Sequence, residues 1–184
     1  MFADILKTNG VYNTVDAELF ERYTKVREPG AGESLLQPGE ICRSISFLVK
    51  GAVYQYQNNN DDVNILDLFI PEDWFLNINS FTSQNPSESF IKSFTASTVL
   101  ELDIQSLHYL IGRSPAFLQL GKIFERSASR LVFFDNRFSP AQKYQWILDN
   151  KPELLQLFPL KMIASFLKIT PETLSRVRET LSRG

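Results

Sequence analysis

One histidine and one cysteine in 184 residues narrow the chemistry before any pattern is read. A multi-histidine metal site cannot be assembled around His108 alone, and an iron–sulfur cluster within one chain needs a set of cysteines. No intrachain disulfide can form, so a reducing compartment is the easier setting for Cys42. The opening stretch, MFADILKTNGVYNTVDAELF, has charges within its first seven residues and no long apolar run, and reads as neither a signal peptide nor a membrane anchor. No P-loop, dinucleotide fingerprint or Ser/His/Asp grouping rises above chance. These absences set the expectation of a soluble, cytoplasmic protein that is not an enzyme and carries no metal or cofactor.

What is present is a core. With 43% hydrophobic and 12% aromatic residues, 15 of them Phe, the chain can bury a sizeable interior. A net charge of -2 means that affinity for nucleic acid would have to come from a local patch.

The periodicity changes along the chain. Residues 14–25 place Leu19, Phe20 and Tyr23 at helical spacing behind the candidate caps Thr14 and Asp16. From about 26 to 104 the runs SISFLV, AVYQYQ, VNILDLFI and SFTASTVLELD are β-branched or aromatic, and turn signals separate them (Pro38-Gly39, Lys50-Gly51, the Asn/Asp tract 58–62). Short strands at this spacing predict a sandwich, barrel or jelly roll. After Asp103 the period becomes helical. Ser114-Pro115 opens a long helix to about 135, with Leu118, Phe124, Ala128, Leu131 and Val132 as an apolar stripe. That stripe fits pairing with a second chain or packing on the protein's own β domain, with no preference between them. Ser139-Pro140 opens another helix, with Tyr144, Ile147 and Leu148 on one side. Strands followed by helices make the fold class α+β.

Residues 154–184 divide into a helix at about 160–167, a tight turn at Lys168-Ile169, and a second helix capped by Thr170 with Pro171 at its first position. This is the layout of a helix-turn-helix. Steps of about 100° put Leu174, Val177 and Leu181 on one side of the second helix. Glu172, Ser175 and Arg176 fall on the other, with Thr173 at its edge. Arg176 can reach a guanine edge or a phosphate, Glu172 can accept from a cytosine amino group, and Thr173 or Ser175 can bond base or phosphate. Lys161, Lys168, Arg176, Arg178 and Arg183 outnumber Glu172 and Glu179, so the positive charge is local. An amphipathic hairpin with a solvated polar face has the same pattern.

The stretch IASFLKITPETLSRVR closely resembles the helix-turn-helix of bacterial transcription regulators of the Crp/Fnr type, the cyclic-AMP receptor protein and fumarate-nitrate regulator family. The resemblance runs along nearly the whole chain, through the LLQPGE and FLVKGAVYQYQ turns of a β-roll. It implies an N-terminal jelly-roll domain like those that bind cyclic nucleotides (residues 1–113), a dimerisation helix (114–136) and a helix-turn-helix domain (137–184). It places the base- and phosphate-contacting helix on 171–178, with Glu172 and Arg176 in base-contacting positions. Double-stranded DNA carrying a near-palindromic operator, a second copy of the chain and RNA polymerase are the partners it implies, with no membrane. Two departures stand out. Lys168 occupies a turn position that is usually Gly, and the sequence stops soon after the recognition helix, with no room for a full β-hairpin wing.

The resemblance also bears on a ligand. Cyclic-nucleotide-binding members hold the phosphate beside a Gly-Glu pair, with an arginine about ten residues later. Aligned on DWF and Thr95-Ala96, these positions hold Leu76-Asn77 and Ser87, and residues 77–89 contain no Lys or Arg. Cyclic AMP is therefore not the expected effector. Asn77, Asn79, Ser80, Ser83 and Ser87 are candidates to line a neutral polar pocket for another small molecule. The competing reading of the chain is a ligand-binding or protein-interaction module that keeps the fold without reading DNA.

Overall fold

The computed structural model describes residues 2–59, 62–133 and 138–182, and the side chains of these except at 59, 128–133 and 182. Two short helices, α1 (Phe2–Lys7) and α2 (Thr14–Tyr23), precede β1 (Lys25–Arg27), β2 (Ser34–Leu36), β3 (Ser44–Lys50), β4 (Val53–Asn59), β5 (Asp62–Phe69) and β6 (Trp74–Phe75). Then come α3 (Ile78–Ser83), β7 (Phe90–Ser93), β8 (Thr98–Asp103) and α4 (Ile104–Arg113). A 3-10 helix over Pro115–Gly121 leads into α5 (Lys122–Phe133). The rest is helical: α6 (Pro140–Asn150), α7 (Leu154–Leu157), α8 (Leu160–Phe166) and α9 (Pro171–Ser182). No helix among the described residues is long and apolar enough to cross a membrane.

The strands form two four-stranded antiparallel sheets, β1-β8-β3-β6 and β2-β7-β4-β5. This is the α+β, jelly-roll-like architecture that the strand spacing predicts. One departure concerns residues 93–103, expected as a single alternating run. The chain bends at 94–97 and divides the run between β7 in one sheet and β8 in the other. Gly51 makes the bend possible: its φ is 96°, and a Cβ there would lie 2.7 Å from the Ala96 carbonyl oxygen.

The N-terminal cap also differs. Asn13, rather than Thr14, caps α2, in a reciprocal box with Asp16, the Asp16 amide donating to Asn13 Oδ1 over 2.9 Å. Ser139 caps α6 as expected, paired with Gln142. At Ser114 the side chain makes no capping bond, and Pro115 starts a 3-10 turn.

Two apolar clusters organise the molecule. The first fills the space between β3, β6 and β8 and the helices around them, with Phe20, Ile45, Phe47, Leu110, Phe117, Leu120 and Ile123 nearly or fully buried. The start of the long helical segment therefore packs on its own β domain. Of the expected stripe, Leu118 is 63% exposed and Phe124 is half-buried 5.5 Å from the Phe81 ring. Ala128, Leu131 and Val132 fall outside the described side chains. The second cluster joins the β4–β5 face to the C-terminal helices, through Tyr56, Ile65, Leu68, Tyr144, Ile147, Leu154, Phe158 and Ile163.

Candidate nucleic-acid interface

The C-terminal helices are built on apolar spacing. Ile163, Ala164, Phe166 and Leu167 of α8 and its end are buried, and so is Leu174 of α9, which is 1% exposed. Between the helices Lys168 takes φ 54°, the left-handed conformation expected of a residue in a glycine position. Thr170 caps α9: its Oγ1 accepts from the Thr173 amide at 3.2 Å and lies 3.1 Å from the Thr173 hydroxyl.

The residues singled out from the sequence lie as follows. Lys161, Lys168, Thr170, Pro171, Glu172, Ser175 and Arg176 are exposed, and Thr173 is half-buried. The Ser175 hydroxyl donates to the Pro171 carbonyl over 3.0 Å, so its remaining capacity is as an acceptor. Glu172 is held below the usual carboxylate range by its own backbone amide, then by the Thr170 hydroxyl and the Arg176 charge. The first turn of α9 therefore presents an anionic acceptor beside a cationic donor one turn on. On the packing side, Val177 is half-buried, but Leu181 is 41% exposed and Leu148 37%. These two, expected to pack, instead border an open hollow with Tyr144 and Arg178.

Sequence reasoning missed Lys143. It is 3% exposed, and its Nζ donates to the Leu167 carbonyl over 3.0 Å, placing a cation at the C-terminal end of α8. Its position four residues before buried Ile147, on the inward side of α6, was the available signal.

The helical unit rests on the second sheet. β5 is that sheet's edge, and its Ile65 amide donates to Ser165 Oγ of α8 over 2.9 Å. Phe94 meets Phe158 at 5.1 Å between ring centres, and Lys151 pairs with Asp73 at 2.5 Å.

The polar residues near α3 gather at a hollow of about 290 Å3. Asn77, Ser80, Ser87 and Ser89 are buried, while Asn79 and Ser83 are exposed at the rim. Asn77 Nδ2 donates to Ser87 Oγ at 2.7 Å and Ser89 Oγ at 2.9 Å, and its Oδ1 accepts from the Ser80 amide at 3.0 Å. Gln55 donates to the same Ser89 hydroxyl at 2.8 Å. Leu66, Asp67 and Phe69 of β5 form another wall, and Ser127 of α5 reaches the rim. His108 lies apart, exposed on α4.

A β-roll of two four-stranded sheets followed by a helix-turn-helix geometry defines a class of fold, and comparison with known proteins agrees. Residues 26–114 match the family model of the cyclic nucleotide-binding domain. The structure resembles FixK2 from Bradyrhizobium japonicum at 16% identity, covering 87% of this chain and 85% of that one with a TM-score of 0.68. It resembles a CooA mutant from Carboxydothermus hydrogenoformans at 17% identity, covering 99% and 84% of the two chains with a TM-score of 0.67. A cyclic nucleotide-binding domain containing protein from Listeria monocytogenes EGD-e is similar at 19% identity, over 92% and 89% of the chains, with a TM-score of 0.66. A search of curated protein sequences gave no match. The chain thus shares the fold of these proteins over most of its length, with its β-roll matching the cyclic nucleotide-binding domain.

Proposed function

We propose that the protein is a homodimeric, sequence-specific DNA-binding transcription regulator. The observation that carries this reading is the exposed Glu172–Arg176 face of α9, set directly over a buried Leu174 and started by the left-handed turn at Lys168. A face of this kind, fixed from behind and capped at its N-terminus, is what entry into a major groove requires, because the first residues of a recognition helix meet the base edges. Lys161 and Lys168 flank it as phosphate contacts. The Crp/Fnr-type fold adds to this the expectation of a dimer through residues 114–136, with the DNA-reading unit in 137–184 and the β-roll in 1–113. Two such helices about a two-fold axis would meet successive major grooves roughly 34 Å apart and read a near-palindromic operator.

The hollow around Asn77 is a candidate effector site that does not favour cyclic nucleotides. Its hydrogen-bond donors near α3 are already engaged with one another, and residues 77–89 supply no cation for a phosphate. The deciding experiment is selection of bound sites from random duplex DNA with the purified full-length chain. Enrichment of an inverted repeat supports the regulator. Weak binding, indifferent to sequence, would instead favour a module that has kept the fold without reading DNA.

A further inference from the structure

Between the two sheets lies a second cavity, of about 580 Å3, that shares Leu76 with the hollow over α3 and otherwise has its own walls. Its volume falls in the range of roughly 300–1,000 Å3 usual for small-molecule sites. Leu36, Phe75 and Ile91 give it an apolar lining drawn from both sheets. The inner face of the first sheet breaks the apolar rule here. Ser46 of β3 stands opposite Glu101 of β8 and Phe75 of β6, and cross-strand partners share a face. Leu48, two residues along on that same face, is fully buried as a sandwich interior requires.

The polar groups in this row are not equally engaged. Glu101 is paired with Arg27 at 3.5 Å, and Arg27 also bonds Glu33 at 3.1 Å and the Ser34 carbonyl at 2.9 Å. Ser46 is only 7% exposed, yet its hydroxyl makes no hydrogen bond among the described residues. Its hydroxyl borders the cavity beside Glu101, where it is free to bond a ligand in place of water. At the mouth, Arg43 is exposed and its guanidinium has no ion pair among the described residues. Arg43 and Ser46 are three positions apart, a span of about 10 Å if extended.

We propose that this inter-sheet cavity binds a hydroxylated medium-chain carboxylate, with its carboxylate on Arg43 at the mouth, its apolar chain between Leu36, Phe75 and Ile91, and its hydroxyl between Ser46 and Glu101. A hydroxyl suits the inner position because it accepts from Ser46 while donating to the Glu101 carboxylate, whereas a second carboxylate there would meet Glu101 as a like charge. Arg43 suits the outer position because a guanidinium takes a carboxylate with two parallel hydrogen bonds.

The test is calorimetric titration of the full-length protein with 8-hydroxyoctanoate, octanoate and 1,8-octanediol. The hydroxy acid is expected to bind with a sub-millimolar Kd. Octanoate and the diol, each lacking one polar end, should bind about five- to tenfold more weakly. Arg43→Gln, at an exposed position that should not disturb folding, should weaken the hydroxy acid about tenfold and leave the diol unchanged. Ser46→Ala should remove the advantage of the hydroxy acid over octanoate. No binding of the hydroxy acid at millimolar concentration overturns the proposal, as does binding that is indifferent to Arg43→Gln or a diol that binds as tightly as the acid.

Discussion

Asn77 and Ser87 are joined by a 2.7 Å hydrogen bond from amide Nδ2 to hydroxyl Oγ, and both side chains are buried. By resemblance to cyclic-nucleotide-binding proteins, these are the places of the acid and the arginine that frame a phosphate. Here the two positions bond to each other. Ser89 completes the network, accepting from Asn77 at 2.9 Å and from Gln55 at 2.8 Å, so the α3 segment is tied to the start of β7 by neutral groups alone.

The first prediction follows from that closure. Cyclic AMP and cyclic GMP should leave the melting temperature of the protein unchanged, because ligand stabilisation requires differential affinity for the folded state. Asn77→Ala should cost about 1–3 kcal/mol by leaving buried hydroxyls short of a donor. For a chain of this size that lowers Tm by about 2–4 °C per kcal/mol. A clear thermal shift with either nucleotide would contradict the first part, and an unchanged Tm in the variant the second.

The second prediction separates two arginines on one helix. Arg176 shares the exposed face with Glu172, whereas Arg178 borders the hollow with Tyr144, Leu148 and Leu181. Arg176→Ala should weaken binding to the selected operator by about 1–3 kcal/mol and relax its sequence preference. Arg178→Ala should do neither. Fluorescence anisotropy on operator and scrambled duplexes at two salt concentrations would distinguish them.

These sites differ in how far they could be read from sequence. The Thr170 cap and the buried Leu174 follow from local rules that act within one turn, the left-handed Lys168 from the resemblance to a turn that usually holds Gly, and the structure has all three. Leu181 obeys the same helical spacing but is exposed, because whether a stripe is covered depends on which neighbour reaches it. The split of residues 93–103 between two sheets was hidden by unbroken alternation, and the bend there depends on Gly51, more than forty residues earlier. That Asn77 bonds both Ser87 and Ser89 has no local signature in the sequence. Only tertiary closure brings β4, α3 and β7 together.

Lys168 gives the third prediction. A non-glycine residue at φ 54° carries a penalty of roughly 1–2 kcal/mol relative to right-handed backbone, so Lys168→Gly should be stabilising by several tenths to about 1 kcal/mol, the glycine losing part of the gain to unfolded-state entropy. The same change removes a candidate phosphate contact. The salt dependence of DNA binding should then fall by about one counterion, with little loss of sequence preference. A destabilised variant in thermal melts would show that the Lys168 side chain holds the turn in some other way.

Cys42 yields a prediction with a pH sense. Burial pushes its thiol above the ordinary value, against smaller opposing contributions from the Asn77 and Ser44 backbone. A raised folded-state pKa means that the native protein holds its proton where the unfolded chain has lost it. The associated stability is complete below the unfolded thiol value and is lost as pH rises through the folded one. Native protein at pH 8 should therefore react slowly with a thiol-specific disulfide reagent, and protein in concentrated urea quickly. Rapid reaction of the native form would place the thiol in solvent and contradict the burial.

The last prediction concerns how the helical unit is held on the β-roll. Lys151, which caps the C-terminal end of α6, meets Asp73 at 2.5 Å, with side chains 17% and 11% exposed, and Asp73 also accepts from the Ile70 amide at 3.0 Å. The carboxylate thus ties the β5–β6 turn and α6 together. Lys151→Met should leave a largely buried carboxylate short of its cation and lower stability by about 1–3 kcal/mol, less than a fully buried pair because some water reaches both groups. Adding Asp73→Asn should restore part of that loss, since the buried charge is then gone while an acceptor for Ile70 remains. Urea titrations of the two single variants and the double variant measure the coupling. If the losses simply add, the contact does not hold the two parts of the chain together.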